Sequence, residues 1–133
     1  MLLALYHDCS EILTGDMPTP IKYYNPEIND AYKKVEAVAN EKLVSMLPED
    51  LRGDYRPLFC HENEDPELLR LLKAADKLSA LVKCIEEENA GNREFSKAKQ
   101  STLRAIEEMR LPEADAFVAE FLPSYGLTVD ELN

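Results

Sequence analysis

Residues 66–92 read PELLRLLKAADKLSALVKCIEEENAGN, and the spacing of their apolar side chains decides the fold class. Leu68, Leu69, Leu72, Ala75, Leu78, Leu81, Val82 and Ile85 recur at intervals of three and four with charged residues between them, which is the helical period. Asp65-Pro66 supplies a start and Ala90-Gly91-Asn92 a stop, the punctuation of a helix that runs to about Asn89. One acid sits awkwardly on it. Asp76 follows Ala74-Ala75 and lies within one turn of Leu72, Ser79 and Ala80, an apolar, small-residue setting in which an unpaired carboxylate is costly.

Outward from this helix the same period governs nearly the whole chain, and no stretch alternates with period two for long enough to predict a strand. The expectation is an all-α bundle of about five to six helices. A first helix is expected over Leu2 to Leu13, ending at Thr14-Gly15-Asp16, where glycine tolerates the backbone that closes a helix. Asn25-Pro26 opens a second, with Ile28, Tyr32, Val35, Val38, Ala39, Leu43 and Met46 as its buried stripe, ending before Pro48. Residues 48–64 mix Pro, Gly, Asp and Arg with Leu51, Tyr55, Leu58 and Phe59, which predicts a short helical turn within a packed connection. Two more helices are expected at about Asn92 to Met109 and Pro112 to Leu122, with Phe95, Leu103, Ile106, Phe117, Val118 and Phe121 facing the core. The tail, Thr128 to Glu131, has capping-box spacing.

At 133 residues and 45% apolar composition the chain is expected to form a single domain. Fifteen Lys and Arg against 26 Asp and Glu leave a net charge of −11, which disfavours nucleic-acid polymers and anionic membranes as partners. A small phosphorylated ligand stays compatible, because a bound cation can reverse the field inside one pocket. Cys9, Cys60 and Cys84 are odd in number and lack paired spacing, so they are read as reduced, mostly buried thiols. The opening MLLALY is too short and has no basic flank, so neither a signal peptide nor a membrane span is expected. The expected location is the cytoplasm.

The chemistry-bearing residues gather near the start, in LYHDCSEILTGDMPTP at residues 5–20. On an unbroken helix Glu11 shares a face with His7, and Asp8 is turned from His7 by about 100°. An imidazole with carboxylates suits Mn, Fe, Co or Zn, and Asp76 is the natural third ligand, its burial relieved by a cation. Pattern alone leaves a metal site and a solvated helix end both open. His61, in Cys60-His61-Glu62, is read as a surface histidine of a polar loop. The run Glu86-Glu87-Glu88 is read as a solvated face.

The stretches YHDCSEILTGDMPTPIKYYN (residues 6–25) and LLKAADKLSALVKCIEEENAGNREF (residues 71–95) closely resemble the bacterial YfbR-type nucleotidases, which are HD-domain phosphohydrolases acting on deoxyribonucleoside monophosphates. The likeness runs from about Leu2 to Leu132 and keeps the spacing from His7-Asp8 to Asp76. It implies an all-helical HD-like fold and a divalent metal (Co, Mn, Zn or similar) held by His7, Asp8 and Asp76. It implies Glu11 as the acid that assists proton transfer around the attacking water, with Asp16 beside it in catalysis. Asp16, Met17, Pro18 and Thr19 would line the deoxyribose and phosphate side of the pocket, with Asp8 and Asp76 reaching the same ligand. A small nucleotide substrate and a homodimer are also implied. Members of that family carry a further N-terminal segment with another metal-ligand His and an Arg-aromatic pair, so the chain is expected to be truncated at the N-terminus. Two other readings stand beside this one: a catalytically inactive helical remnant serving as an interaction module, and an HD phosphodiesterase of signalling nucleotides. The Thr14 to Pro20 turn looks like the monophosphatase version.

Overall fold

The computed structural model describes residues 1–22, 24–61, 64–127 and 129–131, apart from the side chains of Thr19, Pro20 and Val129, and every regular element among them is helical. The all-α expectation holds. The chain packs as two compact units, Met1–Asp65 and Pro66–Asn133.

The first unit contains α1 (Leu2–Tyr6), α2 (Glu11–Thr14), α3 (Thr19–Lys22), α4 (Pro26–Met46) and α5 (Glu49–Phe59). The expected single helix from Leu2 to Leu13 is divided. Between α1 and α2 the bonds Cys9 N to Tyr6 O, Glu11 N to Asp8 O and Ile12 N to Cys9 O span three residues instead of four, so the chain is overwound where His7 and Asp8 sit. At about 120° per residue, His7 and Glu11 no longer stack on one face as they would on an α-helix. Gly15, at φ +71°, then turns the chain out of α2 in a conformation that a side chain would strain.

Asn25 caps α4: its Oδ1 accepts from the Ile28 amide at 2.8 Å, with Pro26 at the first helical position. Asn25→Ala is expected to lower stability by about 1 kcal/mol, read as a lower urea midpoint with an unchanged slope. The predicted stripe of α4 is half right. Tyr32 and Ala39 are buried and Ile28 and Leu43 half-buried, whereas Val35, Val38 and Met46 are exposed and Val44, outside that stripe, is buried instead, because periodicity says which residues share a face and not what covers it. Val35 and Val38 instead border, with Leu13, an apolar groove of about 440 Å³.

The connection after Pro48 is an 11-residue helix and not a short turn. Pro57 removes one backbone bond near its end. Its stabilising contacts come from distant residues. Arg56 grips Glu41 of α4 with both terminal nitrogens, Nη2 to Oε2 at 2.8 Å. Tyr6 of α1 packs against Tyr55 and Phe59 with centroids 5.6 Å apart in both pairs. Arg52 donates to the carbonyls of Leu47 and Ser45 at the end of α4, at 2.9 and 3.0 Å.

In the second unit α6 (Pro66–Asn89), α7 (Ser96–Met109) and α8 (Pro112–Glu120) are joined and followed by 3₁₀ turns at Arg93–Phe95, Leu122–Gly126 and Val129–Glu131. The boundaries of α6 match expectation, and Gly91 at φ +88° closes it, with Asn92 N donating to Glu87 O. Its core is built on Leu81 and Ile106, 0% and 1% exposed, with Ala74, Ile85, Leu111 and Ala114 around them. Lys99 of α7 pairs with Glu88 of α6 at 2.6 Å. Leu68, Ala75 and Phe121, expected inside, are exposed. Asp76 is corrected too: it is exposed together with Ala75, Ser79 and Ala80, on the opposite side of α6 from Leu81 and not in an apolar setting. Among the three cysteines Cys84 is buried, and Cys9 and Cys60 are half-buried. Thr128, the expected cap of the last turn, lies outside the described residues.

Candidate active site

The overwound turn after α1 places His7 and Asp8 side by side. His7 Nδ1 donates to the Ala4 carbonyl at 2.9 Å, one turn back, which commits that nitrogen to its proton and leaves Nε2 as the lone-pair nitrogen of the neutral ring. Asp8 Oδ2 stands 3.0 Å from His7 Nε2. An imidazole nitrogen and a carboxylate oxygen thus converge on one point, with the ring held from behind by a backbone carbonyl, as metal-ligating histidines are. The pair fits a borderline divalent cation. Among the described residues no group of three or more His, Cys, Asp or Glu side chains is assembled as a complete ligand set. Asp76 belongs to the second unit, on the exposed side of α6. Cys9, the adjacent thiol, is pushed above its usual range by burial and then by the charge of Asp8, so it competes poorly as a thiolate ligand.

Glu11 opens α2 and is half-buried. Its carboxyl is raised above the usual glutamate range, first by burial, then by the charges of Asp8 and Asp16; Lys22 opposes the shift and Glu36 adds to it. A carboxyl so placed takes up a proton more readily than a solvated one, which suits a proton shuttle. Asp16 follows the Gly15 turn and is exposed; Met17 is half-buried and Pro18 exposed. The Pro18 carbonyl accepts from Ile21 N and Lys22 N and so begins α3. The side chain of Thr19 lies outside the described residues.

A cleft of about 320 Å³ opens beside His7, lined also by Ser10, Lys33, Glu36, Asn40 and His61. Asp8, Glu11 and the Asp16 turn are not part of its lining. His61 is not the surface residue expected: it is half-buried, its Nε2 donates to the Leu58 carbonyl at 3.1 Å, and it faces the same cleft as His7. The α4 residues Lys33, Glu36 and Asn40 escaped sequence reasoning because polar residues at helical spacing look like a solvated face. The signal for His61 was absent locally, since the α4 and α5 contacts at Arg56 and Glu41 bring it there.

Comparison with known proteins decides the family. The model of the family described as 5'-deoxynucleotidase YfbR-like matches residues 1–125. The chain belongs to the YfbR-like family. Among curated members, the 5'-deoxynucleotidases of Vibrio vulnificus and Vibrio cholerae serotype O1 are each 48% identical to it over 132 residues. The match covers 99% of this chain and 68% of each relative. A 5'-deoxynucleotidase of Yersinia pestis strain Pestoides F is 48% identical, with 67% of its length covered. This YfbR-like chain is therefore shorter than those relatives, spanning about two thirds of each. The resemblance read from residues 6–25 and 71–95 agrees with this assignment. No helix among the described residues of the YfbR-like chain is long and apolar enough to cross a membrane.

Proposed function

We propose that the chain hydrolyses deoxyribonucleoside 5'-monophosphates to nucleoside and phosphate with the help of a divalent metal. The observation that carries the proposal is the convergence of His7 Nε2 and Asp8 Oδ2, 3.0 Å apart, in a ring already anchored through Nδ1, in a chain whose relatives are named 5'-deoxynucleotidases. His7 and Asp8 would hold the ion. Bound there, a divalent cation supplies an acidified water and neutralises charge on the phosphoryl oxygens.

The chain's own residues supply the rest. Glu11, with its raised proton affinity, orients the attacking water and accepts its proton, then returns it to the leaving 5'-oxygen as hydrolysis completes. Asp16 shares this proton-handling region, since its charge already acts on Glu11. Asp16, Met17, Pro18 and Thr19 present the turn that contacts sugar and phosphate. The same reading carries a homodimer in the cytoplasm, the dimer being testable by light scattering.

The direct test is phosphate release from a panel of deoxynucleoside and ribonucleoside monophosphates and cyclic nucleotides with added Co, Mn or Zn. Release confined to deoxynucleoside monophosphates is expected. Absence of release with every metal at high protein concentration removes the catalytic reading for this chain, and release from the cyclic compounds alone transfers it to a phosphodiesterase.

The proton affinity of Glu11 has a consequence for the metal-free protein. A folded-state pKa above the unfolded value means that folding favours the protonated carboxyl. The associated stability is present below the unfolded pKa and is lost as pH rises through the folded one. With the ion absent, the Glu11→Gln variant is expected to lose less stability than the native chain between mildly acidic and neutral pH, read by thermal melts at both.

A further inference from the structure

Three residues on one face of α4 take hold of both ends of the turn that carries Asp16. Tyr32, only 6% exposed, donates its hydroxyl to the Gly15 carbonyl at 3.1 Å. Asn29 Nδ2 donates to the Lys22 carbonyl at 3.2 Å. Glu36 Oε1 accepts from Lys22 Nζ at 3.1 Å, and the same ammonium lies 4.6 Å from the centroid of the Tyr32 ring. Asn29, Tyr32 and Glu36 are spaced three and four apart, so a single helical stripe presents all three.

The anchored atoms bracket the segment. Gly15 precedes Asp16, and Lys22 closes α3. A short loop at positive φ followed by one turn of helix has little packing of its own, and such segments open at low free energy unless they are tied. Here the ties lie at both ends, and the helix that makes them is fixed by its own cap at Asn25 and by Tyr32, Ala39 and Val44 in the core.

We propose that Asn29, Tyr32 and Glu36 of α4 act as positioning residues that clamp the Gly15 to Lys22 segment and thereby set the geometry of Asp16, Met17 and Pro18 toward the nucleotide. The proposal rests on the functional reading above and deepens it: affinity for the sugar and phosphate depends on how α4 holds the turn that meets them. Loss of the clamp frees the segment to sample orientations that do not bind, so it raises KM in proportion to the lost fraction of competent turn and lowers kcat by a smaller factor, since His7, Asp8 and Glu11 lie outside the clamped segment.

The test uses the full chain and the pair Tyr32→Phe and Asn29→Asp. The first keeps the ring and removes one hydroxyl; the second keeps the shape, replaces the donor by an acceptor, and adds a charge that the start of α4 favours. Each is expected to raise KM for deoxyadenosine monophosphate about 3- to 10-fold, the range for one net hydrogen bond. In the same variants the Asp16 and Met17 amides should exchange with solvent faster by a similar factor, while those of Ala39 and Val44 stay unchanged. Unchanged KM and unchanged exchange in a native background that binds the nucleotide would overturn the clamp alone. A native chain whose amide spectrum does not respond to deoxyadenosine monophosphate, with or without metal, would overturn the functional reading and the clamp with it.

Discussion

His7→Ala is expected to abolish metal uptake and phosphate release together, while the helical content of the chain survives. The ring supplies one of two donor atoms that converge at 3.0 Å, and its removal takes away a ligand outright. Partners one step removed from a metal cost about 10- to 100-fold when lost, so a direct ligand should exceed that range in affinity for Co or Mn measured by titration calorimetry. The structural cost is smaller. The fold loses the Nδ1 bond to the Ala4 carbonyl, about 1 kcal/mol, while the buried residues Tyr32, Ala39 and Val44 keep their side chains. Metal affinity that persists unchanged in a folded His7→Ala protein would move the ion elsewhere and remove the basis of the proposed chemistry.

Glu11→Gln should have the second large effect, on turnover and not on metal affinity. Glutamine keeps the size of the side chain in its half-buried place and cannot accept a proton, so kcat should fall by about 10²- to 10⁴-fold with KM little altered. The distinction from His7→Ala is that metal affinity should be retained. The same substitution removes a carboxyl that burial and the charges of Asp8 and Asp16 disfavour in its ionised form. An activity loss is therefore expected together with better retention of metal-free stability toward neutral pH, the exchange of stability for function that active sites commonly show. A Glu11→Gln protein that turns over at the native rate would assign proton transfer to another group.

The two families of test probe different parts of one unit. His7, Asp8 and Glu11 sit on the overwound stretch from α1 into α2, and the clamp residues sit on α4. Kinetics separates them, since the first set acts on kcat or metal binding and the second mainly on KM.

Much of this was legible in the chain itself, for identifiable reasons. The run from Pro66 to Asn89 is a helix with matching boundaries because its caps and its period are local properties. Asn25-Pro26 starts α4 for the same reason. The identity of His7, Asp8 and Glu11 as a group worth attention was visible from their spacing, and their membership of a YfbR-like pattern from residues 6–25 and 71–95.

Other features depend on contacts between residues far apart in sequence. The helix from Glu49 to Phe59 contains Gly53 and Pro57, which argue locally against it, and exists because Arg56 reaches Glu41 and Phe59 reaches Tyr6. His61 is carried to the His7 cleft by that same packing. Asp76 looked buried because its neighbours are small and apolar, yet small residues follow the helix onto its exposed side as readily as its buried one. The break between α1 and α2 has no proline or glycine to announce it and is a choice between bonds spanning three or four residues, which differ little in energy until tertiary packing selects one. The sequence by itself determined the helical class, the main caps and the presence of a His-Asp pair, because these follow from periodicity and near-neighbour hydrogen bonding. Only the tertiary structure decided how His7 and Asp8 are aimed, which face of α4 is covered, and that Asn29, Tyr32 and Glu36 hold the Asp16 turn, because those are settled by which distant surfaces meet.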